Sequence, residues 1–120
     1  MKRVAFITTE SGIDLIVSFA IEADGPALVK SLTLLRTPRF EFALDESERG
    51  PSVSYDDFAD EDFDMLQSIE LDRDAVRITT QRREYVLDTA GVDRDEITRA
   101  VEILHKMNFD GCFLLKVGSV

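Results

Sequence analysis

Carboxylates are the side chains in this 120-residue sequence whose number and spacing could form a working surface. Between Asp45 and Asp64 there are nine acidic residues and one basic residue, so that −8 of the formal net charge of −10 lies in this segment. Clustered carboxylates attract cationic protein surfaces, and aromatic residues among them are typical anchors of protein interfaces. We therefore predict a surface for a basic protein partner, formed by Tyr55, Asp56, Asp57, Phe58, Asp60, Glu61, Asp62 and Phe63.

Other uses of this acidic segment stay open from the sequence. Its carboxylates could serve a small-ligand-binding or metal-dependent domain, because Ca²⁺ and Mg²⁺ prefer oxygen ligands. Their spacing matches no EF-hand pattern, so we assign no metal site and no cofactor. The segment could also be a solvated loop on a structural, homo-oligomeric protein, where it keeps the chain soluble.

The remaining reactive residue types predict no catalysis. The one histidine, His105, lies beside the apolar stripe of a predicted helix, and the one cysteine, Cys112, is expected to be a small buried hydrophobic residue. The sequence has no Gly-x-Ser-x-Gly elbow, glycine-rich phosphate loop, Cys-x-x-Cys pair or zinc-ligand spacing. We therefore expect no enzyme activity and assign no catalytic residue.

The arginines form a second charged group, which comprises Arg36, Arg39, Arg73, Arg77, Arg82 and Arg83. They could bind an anion, or they could neutralise the acidic segment within the same molecule, and we favour the second interpretation. Direct binding to nucleic acid is not expected, because it needs an excess of cations against phosphate and this chain has an excess of acids.

The elements that must position these residues are mostly strands. Alternation of apolar and polar residues predicts strands at about 3–8, 13–22, 28–36, 65–71, 75–81, 84–88 and 112–117. From Asp93 to Met107 the apolar residues Ile97, Ala100, Val101, Leu104 and Met107 recur at intervals that predict one amphipathic helix. Asp93 and Glu96 resemble a capping box at its start.

Short turns join most of these strands, and this predicts an α+β fold. We expect an antiparallel sheet of about six to seven strands, with one C-terminal amphipathic helix packed on one face and followed by a final strand. Since a helix precedes it, the final strand is expected to pair parallel to one of the three strands between residues 65 and 88. A closed or strongly curled sheet is the alternative.

The segment 39–64 shows no sustained period, so we predict a long acidic loop there within a single domain, residues 1–120. Polar residues interrupt the N-terminal apolar run, and no apolar run could span a membrane, so a cytoplasmic protein is expected. Open sheet edges favour pairing with a second copy, so we also expect a homodimer.

In size and charge the chain resembles the immunity proteins of toxin systems, which are small and acidic. No residue pattern carries this resemblance, so it assigns no site. It implies an inhibitor of a basic protein, and the function predicted from the sequence is accordingly a non-enzymatic protein-interaction module whose acidic surface binds a basic partner.

Overall fold

The computed structural model describes residues 1–23, 28–59 and 64–118. Within these residues the chain forms eight strands, one α-helix and three short 3₁₀-helices. The strands are β1 (Lys2–Ser11), β2 (Leu15–Glu22), β3 (Val29–Arg36), β4 (Ser52–Tyr55), β5 (Asp64–Leu71), β6 (Ala75–Thr80), β7 (Glu84–Asp88) and β8 (Leu114–Val117). The α-helix, α1, spans Arg94–Met107, and the 3₁₀-helices span Pro38–Ala43, Glu46–Glu48 and Asp56–Phe58.

The eight strands of the described residues belong to one mixed sheet, so the α+β class is confirmed. The purely antiparallel sheet is wrong, and the expected six to seven strands are too few because β4 was not predicted. Neighbouring strands from β1 to β7 pair antiparallel in sequence order, but β1 also pairs parallel with β7, and β5 pairs parallel with β8. The helix between β7 and β8 carries the chain back along the sheet, which lets β8 run in the same direction as β5. The expected parallel pairing of the final strand is therefore confirmed.

The strand pairings close into a ring that runs from β1 through β7 and back to β1. Both closing contacts are short, since β7 meets β1 at two residue pairs and β4 meets β5 at two. This arrangement corresponds to the closed sheet that the sequence left as an alternative. Its fully buried residues include Phe19, Leu34, Ile69, Ile78 and Leu87, each from a different strand.

The strand β4 lies in the segment for which we predicted a loop. Ser52, Val53, Ser54 and Tyr55 alternate polar and apolar residues, and Val53 and Tyr55 are the buried members. The alternation covers only four residues and is followed at once by acids, so it is too short to stand out as a strand in the sequence.

The helix α1 begins one residue later than predicted, because Asp93 is its N-cap and accepts a hydrogen bond from the N–H of Asp95 at 2.9 Å. Glu96 does not complete a capping box. Its carboxylate instead accepts the N–H of Ile7 at 2.6 Å. Because β7 pairs with β1 only at Lys2 and Arg3, Glu96 supplies the acceptor where no strand continues beside β1.

The buried face of α1 packs against β1 and β2. Four of the five apolar residues predicted for its buried stripe are buried, namely Ile97, Ala100, Leu104 and Met107. The fifth, Val101, is partly buried against the core. Ile103, which the predicted stripe omitted, is buried as well. Within the described residues, no helix has the length and apolar character that crossing a membrane requires.

Candidate functional site

The strand β4 lies within the acidic segment and separates the acids before it from the acids after it. It runs antiparallel to β3, with Tyr55 opposite Leu32 and Ser52 opposite Leu35. The residues before β4 therefore lie near the C-terminal end of β3, and those after it lie near the N-terminal end. Ser31 and Arg36 mark these two ends and are five strand positions apart, which corresponds to about 17 Å.

At the N-terminal end of β3, the predicted partner-binding residues make contacts within the molecule. Tyr55 is only 4% exposed and lies edge-on to the ring of Tyr85, with 5.8 Å between their centroids. Asp56 accepts the N–H of Ser31 at 2.9 Å, and Asp57 forms an ion pair of 2.6 Å with Lys30.

Phe58 is the last member of this end that the structure describes. It is half-buried, and the guanidinium of Arg83 lies over its ring, 3.4 Å from the centroid. A cation held over an aromatic ring in this way fixes both side chains. The other four residues of the predicted surface, Asp60, Glu61, Asp62 and Phe63, lie outside the described residues.

At the C-terminal end of β3, Arg36 is the centre of a buried ion cluster. Arg36 is 1% exposed, and its guanidinium meets five oxygen atoms. Its Nε and Nη2 donate to the two oxygens of Glu41 at 2.8 and 2.9 Å, while Nη2 and Nη1 donate to the two oxygens of Asp110 at 2.8 and 2.9 Å. Nη1 also donates to the carbonyl oxygen of Met107 at 2.5 Å. All five N–H groups of the guanidinium are therefore used.

The ion cluster shifts the pKa of each of its members in the direction that favours the charged form. Burial works to lower the pKa of Arg36, but the hydrogen bonds to Asp110 and Glu41 outweigh burial and raise it above its usual value. The hydrogen bonds from Arg36 lower the pKa of both Glu41 and Asp110, against the opposing effect of their own burial. The three groups consequently stay ionised at neutral pH.

The cluster joins three parts of the chain. Arg36 belongs to β3, Glu41 belongs to the 3₁₀-helix Pro38–Ala43, and Asp110 follows the last turn of α1. Phe109 adds a stacking contact, because its ring centroid lies 4.3 Å from the centre of the Arg36 guanidinium. Paired carboxylates around one guanidinium fix orientation as well as distance, so this cluster sets the position of the 3₁₀-helix on the body of the protein.

Gly50 closes the loop beside this cluster, and its backbone requires glycine. Its φ is +122°, and its N–H donates to Glu41 at 3.3 Å. A Cβ at this position would lie 3.3 Å from the sulfur of Cys112 and 3.7 Å from the side chain of Met65. A residue with a side chain would therefore be strained here by its φ, and its Cβ would crowd the sulfur of Cys112.

The 3₁₀-helix that Glu41 anchors presents aromatic residues to solvent. Phe40 is 55% exposed and Phe42 is 80% exposed, and Leu44 just after the helix is also exposed. Asp45, Glu46 and Glu48 follow within four residues, and all three are exposed. We call this stretch, residues 40–48, the aromatic–acidic rim.

A cleft of about 650 Å³ lies beside the rim. Its walls are mainly apolar, and its charged lining residues are Asp14, Arg36, Glu41 and Glu48. The apolar lining comes from Leu35, Phe40, Leu44 and Met65. This volume is within the range of about 300–1,000 Å³ that binding sites for small groups occupy.

Neither Cys112 nor His105 lines the cleft. Cys112 is exposed, so its expected burial is wrong, although its sulfur lies 3.3 Å from Nη1 of Arg36. Partial burial of the thiol raises the pKa of Cys112, and Arg36 opposes the rise, so the thiol is not activated as a nucleophile. His105 lies exposed on α1. In the described ranges, no group of three or more His, Cys, Asp or Glu side chains is placed to hold a metal ion.

No family model, curated protein or solved structure matches this chain. The site must therefore be interpreted from its own geometry.

Sequence reasoning missed Arg36 as the centre of the site, although a signal was present. Leu32, Leu34 and Arg36 share one face of β3, and both leucines are fully buried. An arginine that continues a buried face predicts carboxylate partners nearby, because a buried charge must be paired. Arg36 does pair within the molecule, but its partners Glu41 and Asp110 lie outside the acidic segment 45–64 that we expected the arginines to neutralise.

Proposed function

We propose that this chain is a non-enzymatic interaction module that binds a basic protein partner through the aromatic–acidic rim. The observation that carries the proposal is the exposure of Phe40 and Phe42 directly beside three exposed acids, Asp45, Glu46 and Glu48. Aromatic residues bury large areas when a partner covers them, and they dominate the binding energy of many interfaces.

The acids of the rim have a different role from the aromatic residues. None of the three acids forms an ion pair with the described residues, so their charge remains available to a partner. Exposed charges mainly accelerate association and select partners of opposite sign, whereas buried aromatic contacts slow dissociation. A rim with both features therefore suits a basic partner that associates rapidly and dissociates slowly.

The aromatic anchors of this proposal, Phe40 and Phe42, differ from those predicted from the sequence, but they lie in the same predicted loop, residues 39–64. Tyr55 is buried and Phe58 is half-buried under Arg83, so they have less surface to offer than Phe42 and Phe40. Arg39 lies 5.9 Å from the ring centroid of Phe40, which is still 55% exposed. Asp56 is exposed and adds to the negative field at the other end of β3, whereas the charge of Asp57 is compensated by Lys30. Inhibition of the partner would follow where its own functional surface is the basic surface that the rim covers.

A capture experiment with immobilised protein tests the proposal. Four forms are compared in extract from the native cell: wild type, Phe42→Ser, the double variant Asp45→Asn/Glu46→Gln, and a control, Asp74→Asn/Glu102→Gln. The control makes the same change in net charge, but at exposed acids that lie outside the rim.

We expect wild type and control to retain the same basic protein, while Phe42→Ser and Asp45→Asn/Glu46→Gln retain at least fivefold less. Raising the salt concentration should weaken capture by wild type more than capture by the acid-neutralised variant. The proposal is overturned if all four forms retain the same proteins equally, or if wild type retains no basic protein. A direct titration with the purified partner then gives the change in Kd for each variant.

The cleft supports a second candidate function, the binding of a free small molecule. Its volume and apolar walls are the features that favour this candidate. The two candidates differ at Phe42, Asp45 and Glu46, because these three residues belong to the rim and do not line the cleft.

A further inference from the structure

We propose that the cleft receives a lysine or arginine side chain of the basic partner. This inference rests on the proposed function and names the group that the partner inserts. The methylene stem of that side chain would lie against Leu35, Leu44 and Met65, and its charged end would lie near Asp14 and Glu48.

The charges of the cleft select a cation. Arg36 and Glu41 are paired with each other, and Arg36 has already donated all five of its N–H groups. Asp14 accepts the hydroxyl of Thr37 at 2.6 Å, and neither Asp14 nor Glu48 forms an ion pair in the described part of the chain. The lining therefore presents two uncompensated carboxylates, and its one guanidinium has no N–H left for an incoming anion.

The arginines next to Phe40 and Glu48 in the sequence do not pair with these carboxylates. The Nε of Arg49 donates to the carbonyl oxygen of Leu44 at 3.2 Å, and the guanidinium of Arg39 lies 5.9 Å from the ring centroid of Phe40. Neither arginine lines the cleft. An anion would meet the carboxylates of Asp14 and Glu48. An uncharged apolar group would desolvate the same carboxylates without a partner, which is unfavourable.

The apolar walls complete the argument for a cation on a hydrocarbon stem. Lysine and arginine bury their methylene groups against apolar surface while the charged end keeps polar partners. A compact inorganic cation would leave Leu35, Leu44 and Met65 without contacts. The exposed Phe42 and the acids outside the cleft give a protein partner further contacts that a small amine would not use, so we assign the cation to a protein side chain.

An NMR titration of the ¹⁵N-labelled full chain tests the inference with defined probes. The probes are N-acetyl-arginine methylamide and its uncharged counterpart, N-acetyl-norleucine methylamide. We expect the arginine probe to shift the backbone amides of Leu44, Ser47 and Gly50, and to reach half-saturation at a concentration about fivefold below that of norleucine, as two exposed ion pairs would give.

Charge-neutral variants of the lining residues give the matched comparison. In Asp14→Asn/Glu48→Gln the advantage of arginine over norleucine should disappear, and asparagine can still accept the hydroxyl of Thr37. In the control Asp74→Asn/Glu102→Gln the advantage should persist. With the purified partner, Asp14→Asn/Glu48→Gln should raise Kd at least fivefold, whereas the control should not.

Failure of the inference is distinguishable from failure of the proposed function. One result would overturn the inference alone: the rim variants lose the partner, but the arginine probe does not shift the cleft amides or binds no better than norleucine. The cleft then does not receive a basic side chain, while the rim remains the partner surface. If the arginine probe fills the cleft but no basic protein is retained, the partner and its inserted side chain are both overturned, and the cleft is a site for a free cationic molecule.

Discussion

Replacing Arg36 with methionine tests whether the buried ion cluster organises the site. Methionine keeps much of the apolar stem of arginine, but it leaves the Glu41 carboxylate buried without the two N–H groups that it accepts. Removing one partner of a buried ion pair typically destabilises a protein by about 3–5 kcal/mol. Since domains of this size typically unfold with a free energy of about 5–15 kcal/mol, the variant should lose about a fifth of its stability or more.

Acidification should stabilise this variant, whereas it should destabilise the wild type. In the wild type, the pKa of Glu41 is lowered from its usual value of 4.5, and the pKa of Asp110 is lowered as well. A lowered pKa stabilises the fold above the ordinary pKa, so wild-type stability should fall as the pH drops below about 4.5. Without Arg36, burial should raise the pKa of Glu41, and a raised carboxyl pKa makes the fold more stable on acidification. Arg36→Met should therefore gain stability between pH 7 and pH 5.

Urea unfolding followed by circular dichroism at pH 7 and pH 5 measures both effects. The control is Arg36→Met/Glu41→Gln, which removes the charge of the unpaired carboxylate. It should recover about 1–3 kcal/mol relative to Arg36→Met at pH 7, because the uncompensated buried charge is gone, and it should lose the gain at pH 5. A loss below about 1 kcal/mol in Arg36→Met, or an equal response of the two variants to acid, would refute this reasoning.

Three further predictions concern the elements around the site. Gly50→Ala should destabilise by about 1–3 kcal/mol in urea unfolding, because alanine disfavours the φ of +122°, whereas Gly12→Ala, with open space around it, should change little. Leu104→Asp should leave the chain unfolded by circular dichroism, since it places a charge at a fully buried position of α1, while the same change at the exposed Leu114 should be tolerated. The predicted homodimer should appear in sedimentation at tens of micromolar and physiological salt as a species near twice 13.5 kDa; a sole species at 13.5 kDa contradicts it.

Much of the secondary structure could be predicted because it depends on local periodicity. The alternation in β2 and the three-to-four spacing in α1 place apolar residues on one face of each element, and those faces are buried. The parallel pairing of β1 with β7 could not be predicted in the same way. Whether β1 pairs with β7 at Lys2 and Arg3 depends on how the whole sheet curls, and no residue near Lys2 specifies it.

The candidate site was less predictable because its contacts join distant parts of the chain. Arg36 and Asp110 are separated by 74 residues, and neither lies in a recognisable motif. Sequence reasoning gave weight to the density of acids, but density does not show which acids already have a partner. Asp57 belongs to the larger group of acids, after β4, and pairs with Lys30, whereas Glu48 belongs to the smaller group before β4 and has no ion pair in the described ranges.

Burial of Glu41 explains why its two neighbours are exposed. The 3₁₀-helix Pro38–Ala43 directs Glu41 inward to Arg36. Successive side chains of a 3₁₀-helix point about 120° apart, so Phe40 and Phe42, on either side of Glu41, both face away from Arg36 and are exposed. The ion cluster thus holds two aromatic rings in solvent before any partner arrives. For the proposed partner surface this is an advantage, because an aromatic residue whose backbone is already held in place loses less conformational entropy on binding than one on a mobile loop. The same cluster uses every N–H group of Arg36, and it therefore leaves the charge of the neighbouring cleft negative.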